Sequence, residues 1–203
     1  MSEAVVKIIP LLNISEKRVF SRLGLNRNGS ISEQISKEYQ PYISRLIRES
    51  SIRIFYKTIF LEVVASKIIM NEYEFKSSLV AGNFTLAKSA VMLGASVLPE
   101  DFARMESYKK RQDFKSVVIL DAIFSEKVDL ALDFIENEIN IELRRKGQVL
   151  GKRLSCGYGD FSLAHQRFFY DELQFEKYGI TIDQNNFLLP EKTATGLLPI
   201  FEA

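Results

Sequence analysis

One stretch constrains this chain more than any other. Over residues 114–145 the apolar side chains Phe124, Val128, Leu132, Ile135 and Ile139 recur at steps of four, four, three and four. That spacing lines them up on one face of an α-helix. A helix carrying so continuous a stripe has to bury it against another layer, so the rest of the chain must supply a partner for it. Ser125 marks a candidate break in the helix.

The other segments supply both helices and strands. Ser15 is placed to cap a helix with Val19, Phe20 and Leu23 on one face and Gly24 as its stop. Ser30 is placed to cap a second, with Ile31, Ile35, Tyr39, Tyr42, Ile43, Leu46 and Ile47 at helical spacing and a kink or split at Pro41. Pro99 suits the first turn of a helix reaching about Lys110. Residues 163–178 read as one amphipathic helix ended by Gly179. Strands are expected over residues 4–9, 52–64, 66–70, 84–93, 180–189 and 193–200, from their runs of Ile, Val, Phe, Tyr and Leu. The order lacks the regular alternation of a parallel βαβ sheet. The expected class is therefore α+β, with a largely antiparallel sheet and flanking helices. The 203 residues carry sparse, scattered Pro and Gly and no repeat, so a single domain over 1–203 is expected.

Composition excludes several function classes. With 27 Lys and Arg against 26 Asp and Glu, the chain has no basic excess with which to track nucleic acid. One Cys forms no intramolecular disulfide, which suits a cytoplasmic protein. One His and one Cys cannot build the usual zinc sites. The apolar stretch of residues 59–70 is interrupted by Glu62 and Lys67, so no membrane span is expected. The N-terminal residues include Glu3 and no basic leader region, so they do not read as a secretory signal.

The loop Gly151-Lys152-Arg153-Leu154-Ser155-Cys156-Gly157-Tyr158-Gly159-Asp160 carries the most chemistry. Glycines on both sides of Tyr158 allow a sharp turn and a close approach to a ligand. Arg153 offers a planar fork for a carboxylate or phosphate. On physical grounds alone, a Gly-rich connection of this kind is more often simply a turn.

Residues 153–160 resemble the R-x-x-P-G-Y loop of the activation domain of cobalamin-dependent methionine synthase, whose free-standing relatives continue with Gly-Asp. Residues 179–196, from Gly179-Ile180-Thr181-Ile182 through Phe187-Leu188-Leu189-Pro190 to Thr195-Gly196, resemble that family's second signature. Leu93-Gly94-Ala95-Ser96-Val97 and Leu120-Asp121-Ala122-Ile123-Phe124-Ser125 are similar to the free-standing group. The motifs span about residues 90–200 in order.

The resemblance implies a methionine synthase activation domain-like fold that binds S-adenosylmethionine and docks over cobalamin carried by a partner protein. That partner would be a corrinoid-binding methionine synthase lacking its own activation domain, in methionine biosynthesis. A flavodoxin- or ferredoxin-like electron donor would supply the electron for methyltransferase-type reactivation of cob(II)alamin. Arg153 would bind the methionine carboxylate, and the backbone of Ser155 and Gly157 would line the groove. Tyr158 would face the corrin, and Asp129 would meet the methionine amino group. Methyl transfer from a sulfonium to a reduced metal needs no proton shuttle, so placement is the protein's task. A corrinoid-docking or shielding module and an S-adenosylmethionine sensor are the alternatives.

The sequence departs from the family at two points. Cys156 stands where the family has Pro, and the sequence stops at Ala203, before the C-terminal segment of full-length synthases. The second departure bears on S-adenosylmethionine affinity. Cys156 reads as packing in the Pro position, with a redox or cobalt-proximal thiol as the alternative. His165 reads as a helix-surface residue. Asp129, Asp133 and Glu136 form one acidic ridge, by default a solvated one.

Overall fold

The computed structural model describes residues 3–9, 14–25 and 33–203. The expected cap at Ser30, the apolar Ile31 and the side chain of Ile35 lie outside the described residues. Strand β1 (Val5–Ile9) and helices α1 (Glu16–Arg22) and α2 (Glu33–Arg48) lead into β2 (Ile52–Phe60). A small meander follows, formed by β3 (Glu62–Val64), β4 (Lys67–Met70) and β5 (Tyr73–Lys76). Then come α3 (Ser78–Phe84), β6 (Ser89–Val97), α4 (Pro99–Lys110), α5 (Phe114–Arg144) and β7 (Gln148–Leu150). Beyond the Gly-rich loop are a 3-10 turn at Leu163–His165, α6 (Gln166–Glu172) and a second 3-10 turn at Phe175–Tyr178. Strands β8 (Thr181–Ile182), β9 (Leu188–Leu189) and β10 (Thr193–Glu202) complete the chain.

The central sheet runs β1-β2-β6-β10-β7, and each pair is antiparallel. Alternation along its strands sends side chains to two cores. Ile52 and Ile54 of β2, Val91, Leu93 and Ala95 of β6, and Leu198 and Ile200 of β10 face the α5 stripe, with Val19, Phe20, Ile43 and Leu46 packed alongside. Phe55 and Ile59, Ala90 and Met92, and Leu197 face the other way, onto Phe75, Val80, Phe84, Phe168, Phe169 and Phe175. The expected α+β architecture with an antiparallel sheet is what the chain adopts. Each large apolar side chain fully buried in these layers contributes about 1.5–3 kcal/mol.

Helix α5 runs unbroken through Ser125, whose hydroxyl donates to the Asp121 carbonyl at 2.9 Å. Lys127 lies on its inner side, fully buried, and donates to the carbonyls of Ile47 (2.7 Å) and Ser50. An ammonium there caps the C-terminal end of α2, where carbonyls lack helical partners. Burial pulls the lysine down to about 8.

Several expectations are corrected. Helix α2 continues through Pro41 as one element. The expected strand over residues 52–64 breaks at Leu61, whose N–H bonds the Lys88 carbonyl. The expected strand over 84–93 is displaced to β6, because residues 78–84 form α3, capped by the Ser77 hydroxyl. The expected helix over 163–178 is interrupted at Gln174, which takes a left-handed conformation (φ 55°). The expected strand over 180–189 is a hairpin instead. Asp183 Oδ1 accepts the N–H groups of Asn185 and Phe187, both at 2.8 Å, and turns the chain between β8 and β9.

Candidate functional site

The Gly-rich loop leaves β7 beside β10 and is tied to it. Gly151 N–H donates to the Pro199 carbonyl at 2.8 Å, and Leu154 and Leu197 form a two-way bridge. The Ser155 hydroxyl donates to the Thr195 carbonyl at 2.7 Å. The chain then reverses: Gly157 N–H donates to the Phe161 carbonyl at 2.7 Å, with Gly157 at φ +91°. Only glycine takes that conformation without strain. The reversal leaves Tyr158 standing out, 71% exposed.

Asp160 closes the loop against α3. Its carboxylate accepts from the Ser77 hydroxyl (2.5 Å) and from the N–H groups of Ser78 (2.7 Å) and Leu79 (3.2 Å). The Ser77 bond and these amides hold the carboxyl below its ordinary range.

Arg153 lies along β10. A Cβ at Gly196 would fall 2.7 Å from both Cγ and Cδ of Arg153, so the strand needs glycine there for the side chain to cross. The guanidinium is forked over α5, with Nη1 2.9 Å from Glu136 Oε2 and Nη2 2.9 Å from Asp133 Oδ1. Burial pushes Glu136 up, against the pull of Arg153. The expected solvated ridge is therefore an anchor for the loop's arginine.

Two turns back along α5 the pattern repeats. Arg22 of α1 sets Nε 2.5 Å from Glu126 Oε1 and Nη2 2.5 Å from Asp129 Oδ2. Burial works against the Arg22 charge, yet the two carboxylates raise its pKa above the ordinary value. Nothing in the sequence marked Arg22, because α1 and α5 meet only in the fold.

Some of these parts border an open cavity of about 910 Å³. Asp129 and Leu132 come from α5, Arg153, Ser155 and Tyr158 from the loop, and Phe187 and Leu189 from the β8–β9 hairpin. Of the expected site residues, Asp129, Arg153, Ser155 and Tyr158 thus share a cavity, while Gly157 shapes the turn behind it. Gln166, Thr195 and Leu79 also line the cavity; the sequence reading names none of them as a site residue, although Thr195 falls in the second signature. Among the described residues no cluster of His, Cys, Asp and Glu could hold a metal ion. No helix among them is long and apolar enough to cross a membrane.

Cys156 is buried in the core beside Leu154 and Phe161, at the border of the cavity, and burial pushes its thiol up to about 12. Its place in that core fits the packing reading. His165, expected on a helix surface, is half-buried in a 3-10 turn. Its Nδ1 lies 3.1 Å from the Tyr73 hydroxyl, and its ring packs against Phe75 and Phe161. Burial lowers its pKa.

No protein-family model matches the chain, and no curated protein matches it in sequence. Among solved structures it is similar to the crystal structure of the MetH reactivation domain bound to AdoHcy. The TM-score is 0.68 at 10% identity, and the match covers 97% of this chain and 78% of that one. At that identity the likeness speaks for the fold, and the chain has the fold of the MetH reactivation domain.

Proposed function

We propose that this chain binds S-adenosylmethionine in the cavity beside Arg153 and serves as a reactivation component for a corrinoid-dependent methionine synthase. The observation that carries the reading is the meeting of Asp129, Arg153, Ser155 and Tyr158 around one cavity in a fold whose solved neighbour holds AdoHcy. A volume of about 910 Å³ suits a nucleoside carrying an amino-acid arm.

The residues fit such a ligand. Among the described residues Asp129 Oδ1 carries no hydrogen bond, so it is free to accept from the ligand's ammonium group. Arg153 receives the carboxylate once Asp133, its more exposed partner at 55% against 32% for Glu136, gives way. The apolar wall of Leu132, Leu154 and Leu188 excludes water from the rest. Leu79, Tyr158, Phe187 and Leu189 are large, exposed and gathered at the cavity's border. Such a rim suits a flat apolar partner surface, which is where a corrinoid domain would dock. The corrinoid, carried by that partner, supplies the nucleophile for methyl transfer. This chain's residues orient the sulfonium and cover it.

A docking module without catalysis draws on one observation: the Arg153 fork already holds two carboxylates. Two measurements separate the readings. Isothermal titration of the folded chain with S-adenosylmethionine should release heat at micromolar to millimolar ligand. Mixing the chain with a corrinoid domain trapped as cob(II)alamin, S-adenosylmethionine and a low-potential flavodoxin- or ferredoxin-like donor should then give the absorbance of methylcobalamin. Binding of both partners without that product would leave the docking role; no binding of S-adenosylmethionine would end the proposal.

A further inference from the structure

We infer that Gln166 supplies the hydrogen-bond donor that fixes the nucleoside part of the ligand, an assignment that rests on the S-adenosylmethionine reading above. Gln166 is the first residue of α6 and is only 6% exposed, yet it lines the cavity. Its Oε1 is engaged: the Thr195 hydroxyl donates to it at 3.0 Å within the protein interior. Its Nε2 has no partner among the described residues.

That nitrogen is not sealed in. Among the described residues the only fully enclosed side-chain nitrogen or oxygen without a partner is Arg104 Nε, midway along α4. Nε2 therefore has an open side, and the open space beside Gln166 is the cavity. A buried amide normally finds partners for its donors. Here two N–H groups are presented to a space walled by Leu154, Leu163 and Leu188.

The neighbouring polar groups sharpen the assignment. The Ser155 hydroxyl is spent on the Thr195 carbonyl, and the Thr195 hydroxyl is spent on Gln166. The amide is thus the donor this polar floor has left, and Thr195 holds its orientation. An uncharged donor in an apolar wall suits an uncharged acceptor, a ribose hydroxyl or a purine ring nitrogen. The charged groups Arg153 and Asp129 suit the zwitterionic arm instead. The cavity thereby divides into a charged end for the amino acid and an amide-marked end for the nucleoside.

The test uses ligand fragments: S-adenosylmethionine, 5′-methylthioadenosine, which lacks the amino-acid arm, and methionine. Gln166→Met keeps the volume and removes the donors. It should weaken both nucleoside-containing ligands by roughly ten-fold, the scale of a lost neutral hydrogen bond. Arg153→Met should weaken S-adenosylmethionine and leave 5′-methylthioadenosine unchanged. Gln166→Glu, which keeps an oxygen for Thr195, should lose at least as much as Gln166→Met. That variant guards against a folding defect, and the thermal midpoint of each ligand-free protein checks it directly. Equal 5′-methylthioadenosine affinity in wild type and in both Gln166 variants overturns the assignment alone. Wild-type protein that binds neither nucleoside overturns the S-adenosylmethionine reading and the assignment with it.

Discussion

Arg22 Nη2 stands 2.5 Å from Asp129 Oδ2 across 107 positions of sequence, while its Nε holds Glu126 at the same distance. The acid proposed to receive the ligand's ammonium is thus already half of an ion pair. Removing the cation should cost stability, because Glu126 is buried and among the described residues would keep only Arg18, at 3.6 Å. Arg22→Met is expected to lower unfolding free energy by about 1–3 kcal/mol, the range for a buried charged group left short of a partner. Urea denaturation followed by circular dichroism measures it. An unchanged midpoint would mean that α1 is held without this pair.

Asp133 competes with the ligand for Arg153. Asp133→Asn should free Nη2 and tighten S-adenosylhomocysteine binding by about two- to five-fold, since an exposed pair is worth up to about 1 kcal/mol. S-adenosylhomocysteine is the suitable probe because it lacks the sulfonium charge that Asp133 would also attract. Weaker binding in this variant would place the ligand carboxylate away from Arg153.

Lys127 makes stability depend on alkaline pH. Its folded value of about 8 lies below the ordinary 10.5, so the unfolded chain holds the proton more tightly. The contribution is fully present above 10.5 and is lost as pH falls through about 8. Wild type should therefore gain stability relative to Lys127→Met as pH rises from about 8 to 10.5. At pH 7 the variant leaves the Ile47 and Ser50 carbonyls without their donor. Chemical denaturation of both proteins across this range yields the difference.

Cys156 gives the opposite slope at higher pH. Burial raises its thiol from 9.0 to about 12, so its contribution is full below 9 and disappears as pH rises through 12. In the folded protein at pH 8 the thiol should resist iodoacetamide, and urea should expose it to rapid labelling, read by intact mass. Fast labelling of the native protein would show that the thiol is presented to solvent and would restore it as a candidate functional group.

Gly196→Ala tests the crossing of Arg153 over β10. The added methyl would meet Cγ and Cδ at 2.7 Å, and the arginine would have to move. Fold should persist, because the strand conformation accepts alanine. Ligand affinity should fall toward that of Arg153→Met, measured by titration with S-adenosylmethionine. Undiminished affinity would show that Arg153 has another route to the site.

What the sequence disclosed follows the range of the interactions involved. Helix α5 was legible because its stripe repeats over many turns, so each apolar residue reinforces the same phase. The strand expected at 180–189 failed because one side chain, Asp183, folds the backbone back on itself. The helix expected at 163–178 failed at Gln174 for a similarly local reason. Arg153, Ser155 and Tyr158 were found through motif resemblance. Arg22 and Gln166 carry no motif, and their partners lie 104 to 107 and 29 positions away. The acidic ridge was visible as a pattern, but its pairing with Arg22 and Arg153 was not.

The Asp160 bonds to Ser77, Ser78 and Leu79 weld the loop's far end to the start of α3. With Leu154 and Ser155 fastened to β10 at the near end, both ends of the turn bearing Tyr158 are fixed before any ligand arrives. Little conformational freedom remains to be lost there on binding, so the entropic penalty of association is met during folding. A substitution that cuts the weld, such as Asp160→Ala, would therefore act at a distance. The cavity's chemistry would stay intact, and the loss would appear as a less favourable binding entropy.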